Sequence, residues 1–109
     1  MRQRARQAST LLKAMSNEHR LLVLCQLLEG EKAVGELERL VGLSQSALSQ
    51  HLARLRHDGI VRTRRASQTI FYSLNGPEAA AVIMTLYGLF CGPEGAMAAT
   101  ASVPDLVRR

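Results

Sequence analysis

Aromatic side chains are scarce in this chain. Tryptophan is absent, and two tyrosines with two phenylalanines make up 4% of its 109 residues. A core must therefore come from Leu, Val, Ile and Ala within a hydrophobic fraction of 47%. That composition points to a helical protein and against a β-sandwich. Long apolar runs are missing as well. LLVLC at 21–25 and AAAVIM at 79–84 are the longest, far short of the roughly 20 residues needed to span a bilayer. The basic opening MRQRARQAST lacks the apolar stretch of a secretory leader, so the expected location is the cytoplasm, with no membrane partner. Cysteine is limited to two residues. In that compartment a permanent structural disulfide is not expected, which leaves core thiols, metal ligands or redox-active groups. Acids are in deficit too, 9 against 14 Lys plus Arg, for a net +5. The basic excess is carried by arginine, whose planar fork matches phosphate oxygens.

At this length the chain makes one domain, expected over residues 1–91 with a loosely ordered tail at 92–109, and dimerisation would help to stabilise it. Ala5, Ala8, Leu12 and Met15 keep helical spacing, so a first helix is expected over 4–15. Asn17 can cap a second helix that runs to about Glu29 before Gly30 stops it. This second helix, EHRLLVLCQLLE, is apolar almost all round and belongs at the centre of the domain. AVGELERLVG at 33–42 predicts a short helix ending at Gly42, and Ser44 can cap a further one from Gln45. Two short helices joined by a tight glycine turn make a helix-turn-helix. In LSQSALSQHLARL (43–55), Leu48, Leu52 and Leu55 share one stripe with Ala47 and His51 at its edges. Ser46, Ser49, Gln50, Ala53 and Arg54 lie opposite, joined by Arg56 and His57.

From Ile60 the period changes. IVRTRRASQTIFYSL (60–74) predicts a β-hairpin around Ala66-Ser67-Gln68, with Ile70, Tyr72 and Leu74 on its buried face. Pro77 is placed to open a last helix, PEAAAVIMTLYGLFC, which carries two apolar stripes. Val82, Ile83, Leu86 and Phe90 form one, and Ala80, Met84, Tyr87 and Cys91 the other. One stripe can meet the chain's own core and the other a partner, so the first and last helices are the expected homodimer interface. The fold class is therefore mainly α with a small β-hairpin wing: a winged helix-turn-helix of four helices, the hairpin and a fifth helix.

Such an arrangement puts its second motif helix in the DNA major groove and its wing along the backbone. Serine and glutamine suit the first task, since glutamine can pair with an adenine edge and serine adapts to several acceptors. Ala53 keeps the helix close to the bases. Residues 42–76 hold Arg54, Arg56, Arg62, Arg64 and Arg65 against Asp58 alone, and the wing arginines are expected to hold phosphates. The candidate DNA-contacting set is Ser44, Gln45, Ser46, Ser49, Gln50, Arg54, Arg62, Arg64, Arg65 and Gln68. The plainer reading is a solvated helix face beside an ordinary charged hairpin, which the basic wing and lopsided charge disfavour. His51 reads as a packed edge residue and His57 as a phosphate neighbour.

LLKAMSNEHRLLVLCQLLEGE followed by VGELERLVGLSQSALSQHLARLRHDGIVRTRRASQTIFYSL resembles the ArsR/SmtB family of dimeric winged-helix repressors, over residues 10–91. The resemblance implies a homodimer on double-stranded, pseudo-palindromic operator DNA, with recognition helices roughly 34 Å apart. It also implies base reading by Ser46, Ser49 and Gln50.

Metal sensing, common in that family, is not expected. Ala33 and Gly35 stand where one familiar site has its cysteine pair, and the last helix has Glu78 but no histidine. Cys25 and Cys91 alone make a poor set for a four-coordinate thiophilic ion, and no cofactor is expected. On chemistry alone Cys25 also reads as core filler on the stripe Leu21-Leu24-Cys25-Leu28. Cysteines in these two helices, with SQSALSQHLARLR, are similar to the BigR/SqrR/HlyU-like subgroup that responds to reactive sulfur. That resemblance implies Cys25 and Cys91 as a sensing dithiol, with low-molecular-weight persulfides as inducer and a polysulfide or disulfide crosslink that releases DNA. The alternative is an architectural or anti-silencing virulence regulator with a general peroxide response or structural cysteines. An enzyme is not expected, because no histidine lies one helical turn from either cysteine.

Overall fold

The computed structural model describes residues 1–91; the tail at 92–109 lies outside the described residues. Eight elements follow one another: α1 (Arg2–Met15), α2 (Glu18–Leu28), β1 (Lys32–Ala33), α3 (Val34–Val41), α4 (Gln45–His57), β2 (Val61–Ala66), β3 (Thr69–Leu74) and α5 (Pro77–Phe90). The strands form one antiparallel sheet in the order β1-β3-β2.

Local chemistry sets the boundaries. The Asn17 side chain accepts hydrogen bonds from the backbone N–H groups of His19 and Arg20, which satisfies two free donors at the start of α2. Ser44 Oγ accepts from Ala47 N at 3.2 Å and caps α4 in the same way. Gly42 ends α3 at φ +79°, the left-handed conformation that glycine adopts without steric penalty. Pro77 opens α5, where its missing N–H is not needed. Arg20 closes the corner between α1 and α2: its Nε donates to Ala14 O at 2.7 Å and its Nη2 to Lys13 O at 3.3 Å.

α2 packs against α1, α3, α4, α5 and β3. Its Val23, Leu24 and Leu27 are buried with Leu37 of α3, the Leu48-Leu52-Leu55 stripe of α4, Ile60, Val61, and Ala79 and Ile83 of α5. The expected stripe of α4 is thus its buried face, and α2 is the central helix. β1 was not expected. The sequence reading starts a helix at residue 33, whereas Lys32 and Ala33 pair with Tyr72 and Phe71 of β3 and make it the central strand. Two residues are too few to show a strand period, so only tertiary pairing defines β1.

The last helix also differs from the even two-stripe pattern. Its inward residues are Ala79, Val82 and Ile83, while Phe90, expected on the same stripe, is 74% exposed. On α1 only Ala14 and Met15 are buried. Its N-terminal half borders a cleft of about 1110 Å³ that is also lined by Ile60 and Ala79. Among the described residues no helix is long and apolar enough to cross a membrane.

Candidate DNA interface and the paired cysteines

Packing of Leu48, Leu52 and Leu55 on α2 turns the opposite side of α4 outward. Ser46, Ser49, Gln50, Ala53, Arg54, Arg56 and His57 are all exposed, as are Ser44 and Gln45 at its start. The short side chains of Ser46, Ser49 and Ala53 leave a low surface between the longer ones, which lets a helix lie close to base edges. Ser44 is already engaged as the cap of α4. Arg54 Nε donates to Asp58 Oδ2 at 2.9 Å, at the C-terminal cap of the same helix.

The wing extends beside this face. Val61 lies opposite Leu74 and Ala66 opposite Thr69, so β2 and β3 run in register to a tight turn at Ser67 and Gln68. Ser67 takes a left-handed φ of +57°. Tyr72 and Leu74 pack against the core, as expected; Ile70 is half-buried but outside that cluster. A groove of about 420 Å³ separates α4 from the sheet, lined by Ser49, Ala53, Arg56, His57 and Tyr72. Tyr72, assigned from the sequence to the core alone, therefore also faces the groove.

The three wing arginines have different surroundings. Arg62 Nε donates to Ser73 Oγ at 3.4 Å. Arg65 is exposed and has no ion pair among the described residues. Arg64 is held: its Nε and Nη2 donate to the two carboxylate oxygens of Glu31, each at 2.8 Å. Its guanidinium also lies 4.7 Å over the Phe71 ring. The sequence reading gave Glu31 no role, because the contact spans 33 residues and depends on β1 joining the sheet.

Cys25 lies on α2 and Cys91 at the C-terminal cap of α5, and these two helices pack against each other. Cys25 is half-buried against the core, Cys91 follows the last turn of α5 and is exposed, and both thiols are free. Burial pushes the Cys25 thiol pKa up, and the negative charge that Cys91 carries as a thiolate pushes it further. Thiolate is the reactive form, so burial holds Cys25 back, while Cys91 is open to solvent. Among the described residues no cluster of three or more His, Cys, Asp or Glu could hold a metal ion.

Comparison with known proteins places this geometry. Residues 17–63 match the model of the bacterial regulatory protein, arsR family. The chain is 54% identical over 91 residues to the transcriptional activator HlyU of Vibrio cholerae, covering 84% of each protein. A solved structure of reduced HlyU from Vibrio cholerae superposes with a TM-score of 0.79 at 54% identity, over 84% of this chain and 96% of that one. The transcriptional repressor BigR from Xylella fastidiosa superposes at 0.77 with 47% identity, over 84% and 93%.

Proposed function

The chain belongs to the ArsR family and is a winged-helix DNA-binding transcriptional regulator, not an enzyme; within that family we propose a homodimeric repressor whose Cys25–Cys91 pair senses reactive sulfur. The observation that supports the sensing role is the placement of one free thiol, half-buried, on α2 and a second, exposed, at the end of α5, two helices that pack against each other. The location that suits this activity is the cytoplasm, where both thiols start reduced.

DNA contact is assigned to Gln45, Ser46, Ser49 and Gln50 at the bases, with Arg54, Arg62, Arg65 and Gln68 on the backbone. Dimerisation through α1 and α5 would cover Leu12, Met84, Tyr87 and Phe90, which are 51–74% exposed in the single chain. Exposed apolar side chains on both helices support an interface there.

The chemistry begins at Cys91. Its thiolate attacks the terminal sulfur of a persulfide R–S–S–H, the S–S bond breaks, and the departing thiolate takes up a proton. Cys25 then completes the bridge from the protected side. For a tetrasulfide, two protein thiols and three persulfides give the crosslink, three low-molecular-weight thiols and one hydrogen sulfide. The third persulfide is the oxidant. Closing the bridge ties the end of α5 to α2, against which α4 packs, and so alters the tilt of the two recognition helices. About 1–3 kcal/mol of coupling changes occupancy five- to over a hundredfold.

The test is the intact mass of reduced protein after glutathione persulfide, before and after thiol capping. The expected product gains two sulfurs, loses two hydrogens and accepts no cap. An unchanged mass with two cappable thiols would refute the sensing role and leave the DNA-binding assignment standing.

A further inference from the structure

We propose that Arg64 is a positioning residue of the wing rather than a phosphate contact, held by Glu31 in a staple that crosses all three strands of the sheet. The register shows how. Arg64 of β2 lies opposite Phe71 of β3, and Phe71 lies opposite Ala33 of β1. The Arg64 side chain passes over the Phe71 ring at 4.7 Å and reaches Glu31, two residues before Ala33. There it makes a two-pronged contact of 2.8 Å and 2.8 Å. Three elements distant in sequence thus meet on one sheet face through a single guanidinium.

This arrangement leaves Arg64 poorly suited to hold DNA. Two of its donors face a carboxylate, and the pair is neutral as a unit. A phosphate would have to displace Glu31, whose acidity is strengthened first by that hydrogen bond and then by the charges of Arg64 and Arg62. Exposed ion pairs generally add little to stability, and stability is not the role assigned here. A two-stranded ribbon is marginal alone, and its angle to the body decides where Arg62, Arg65 and Gln68 meet the DNA. The staple fixes that angle against the segment that leaves α2. Arg62 and Arg65, without carboxylate partners among the described residues, are the wing's phosphate contacts.

The inference rests on DNA binding alone and not on the sulfur chemistry, so it is tested with reduced protein. The probe is a labelled mixed-sequence duplex of roughly 30 base pairs, about three helical turns, because wing contacts to the backbone do not depend on sequence. The variants are Glu31→Gln, Arg64→Gln, Arg64→Lys and the double Glu31→Gln/Arg64→Gln, each first shown to unfold cooperatively. Removing an acid should tighten DNA binding if charge alone matters. The staple instead requires Glu31→Gln to weaken binding about threefold or more, as Arg64→Gln does, with the double variant no weaker than either single. Arg64→Lys should behave like Arg64→Gln, because lysine keeps the charge but not the fork. Equal or tighter binding by Glu31→Gln, or retention of affinity by Arg64→Lys alone, would overturn the proposal.

Discussion

The rings of His19 and His51 lie 5.9 Å apart, centroid to centroid, and join the start of α2 to the middle of the recognition helix. Burial lowers the His51 pKa from its ordinary 6.5, and the charges of Arg20 and His19 lower it further. The folded state therefore favours neutral His51. Its contribution to stability is complete above the unfolded value and is lost as pH falls through 6.5 toward the depressed folded value. Urea midpoints should fall between about pH 7.5 and pH 5.5, and His51→Gln should flatten that slope. An unchanged slope in the variant would assign the pH dependence elsewhere.

Leu52 is 1% exposed on the inward stripe of α4. Leu52→Ala leaves a cavity between α4 and α2 that the surrounding helices cannot fully close. Chemical denaturation should show a loss of about 2–5 kcal/mol. A loss below about 1 kcal/mol would mean that the core relaxes around the site.

The placement of the recognition helix was legible because its stripe of three leucines repeats at helical spacing and Ser44 marks its start. The hairpin was legible from its alternation, and the central position of α2 from its lack of a polar face. β1 was not, since two residues show no period and owe their conformation to pairing with Tyr72 and Phe71. The Arg64 contact was hidden for the same reason. Without β1 in the sheet, nothing brings Glu31 near the wing, and Arg64 reads like its neighbours Arg62 and Arg65. For Phe90 the wheel gave the right helix but the wrong burial: Ile83 of the expected stripe is buried, whereas Phe90 is 74% exposed.

The exposed apolar residues of α5 bear on assembly. Phe90 is 74% exposed and Met84 is 61% exposed, and each should be covered in the proposed dimer. Replacing either by Asp should raise the dimer dissociation constant by tenfold or more, since burying one such side chain contributes about 1.5–3 kcal/mol. Sedimentation at graded concentrations reads this directly. A dimer that is unaffected by both changes would place the interface elsewhere.

The two thiols should differ in rate. Cys91 is exposed, whereas Cys25 is half-buried with a raised pKa. Iodoacetamide under native conditions should therefore modify Cys91 first, leaving Cys25 labelled only slowly until urea is added. Cys91→Ser removes the neighbouring charge but not the burial, so the remaining thiol should stay slow. Peptide mapping after short exposure identifies the modified residue, and preferential labelling of Cys25 would reverse the assigned order of attack.

Base reading and backbone holding should separate by their response to salt. Arg65 is an exposed cation on the wing with no ion-pair partner among the described residues, so Arg65→Gln should weaken binding to every duplex alike. It should also reduce the dependence of log affinity on log salt by about one unit, the contribution of one phosphate contact. Gln50 lies on the exposed face of α4 and offers a donor and an acceptor in the geometry of an adenine edge. Gln50→Ala should leave the salt dependence unchanged while discrimination at one base pair falls by about 1–3 kcal/mol. Titrations of a selected duplex and its single-base variants, each at several salt concentrations, measure both quantities together. If Gln50→Ala instead lowered the salt slope with specificity intact, the outward face of α4 would lie on the backbone, and the groove contact would belong to another element.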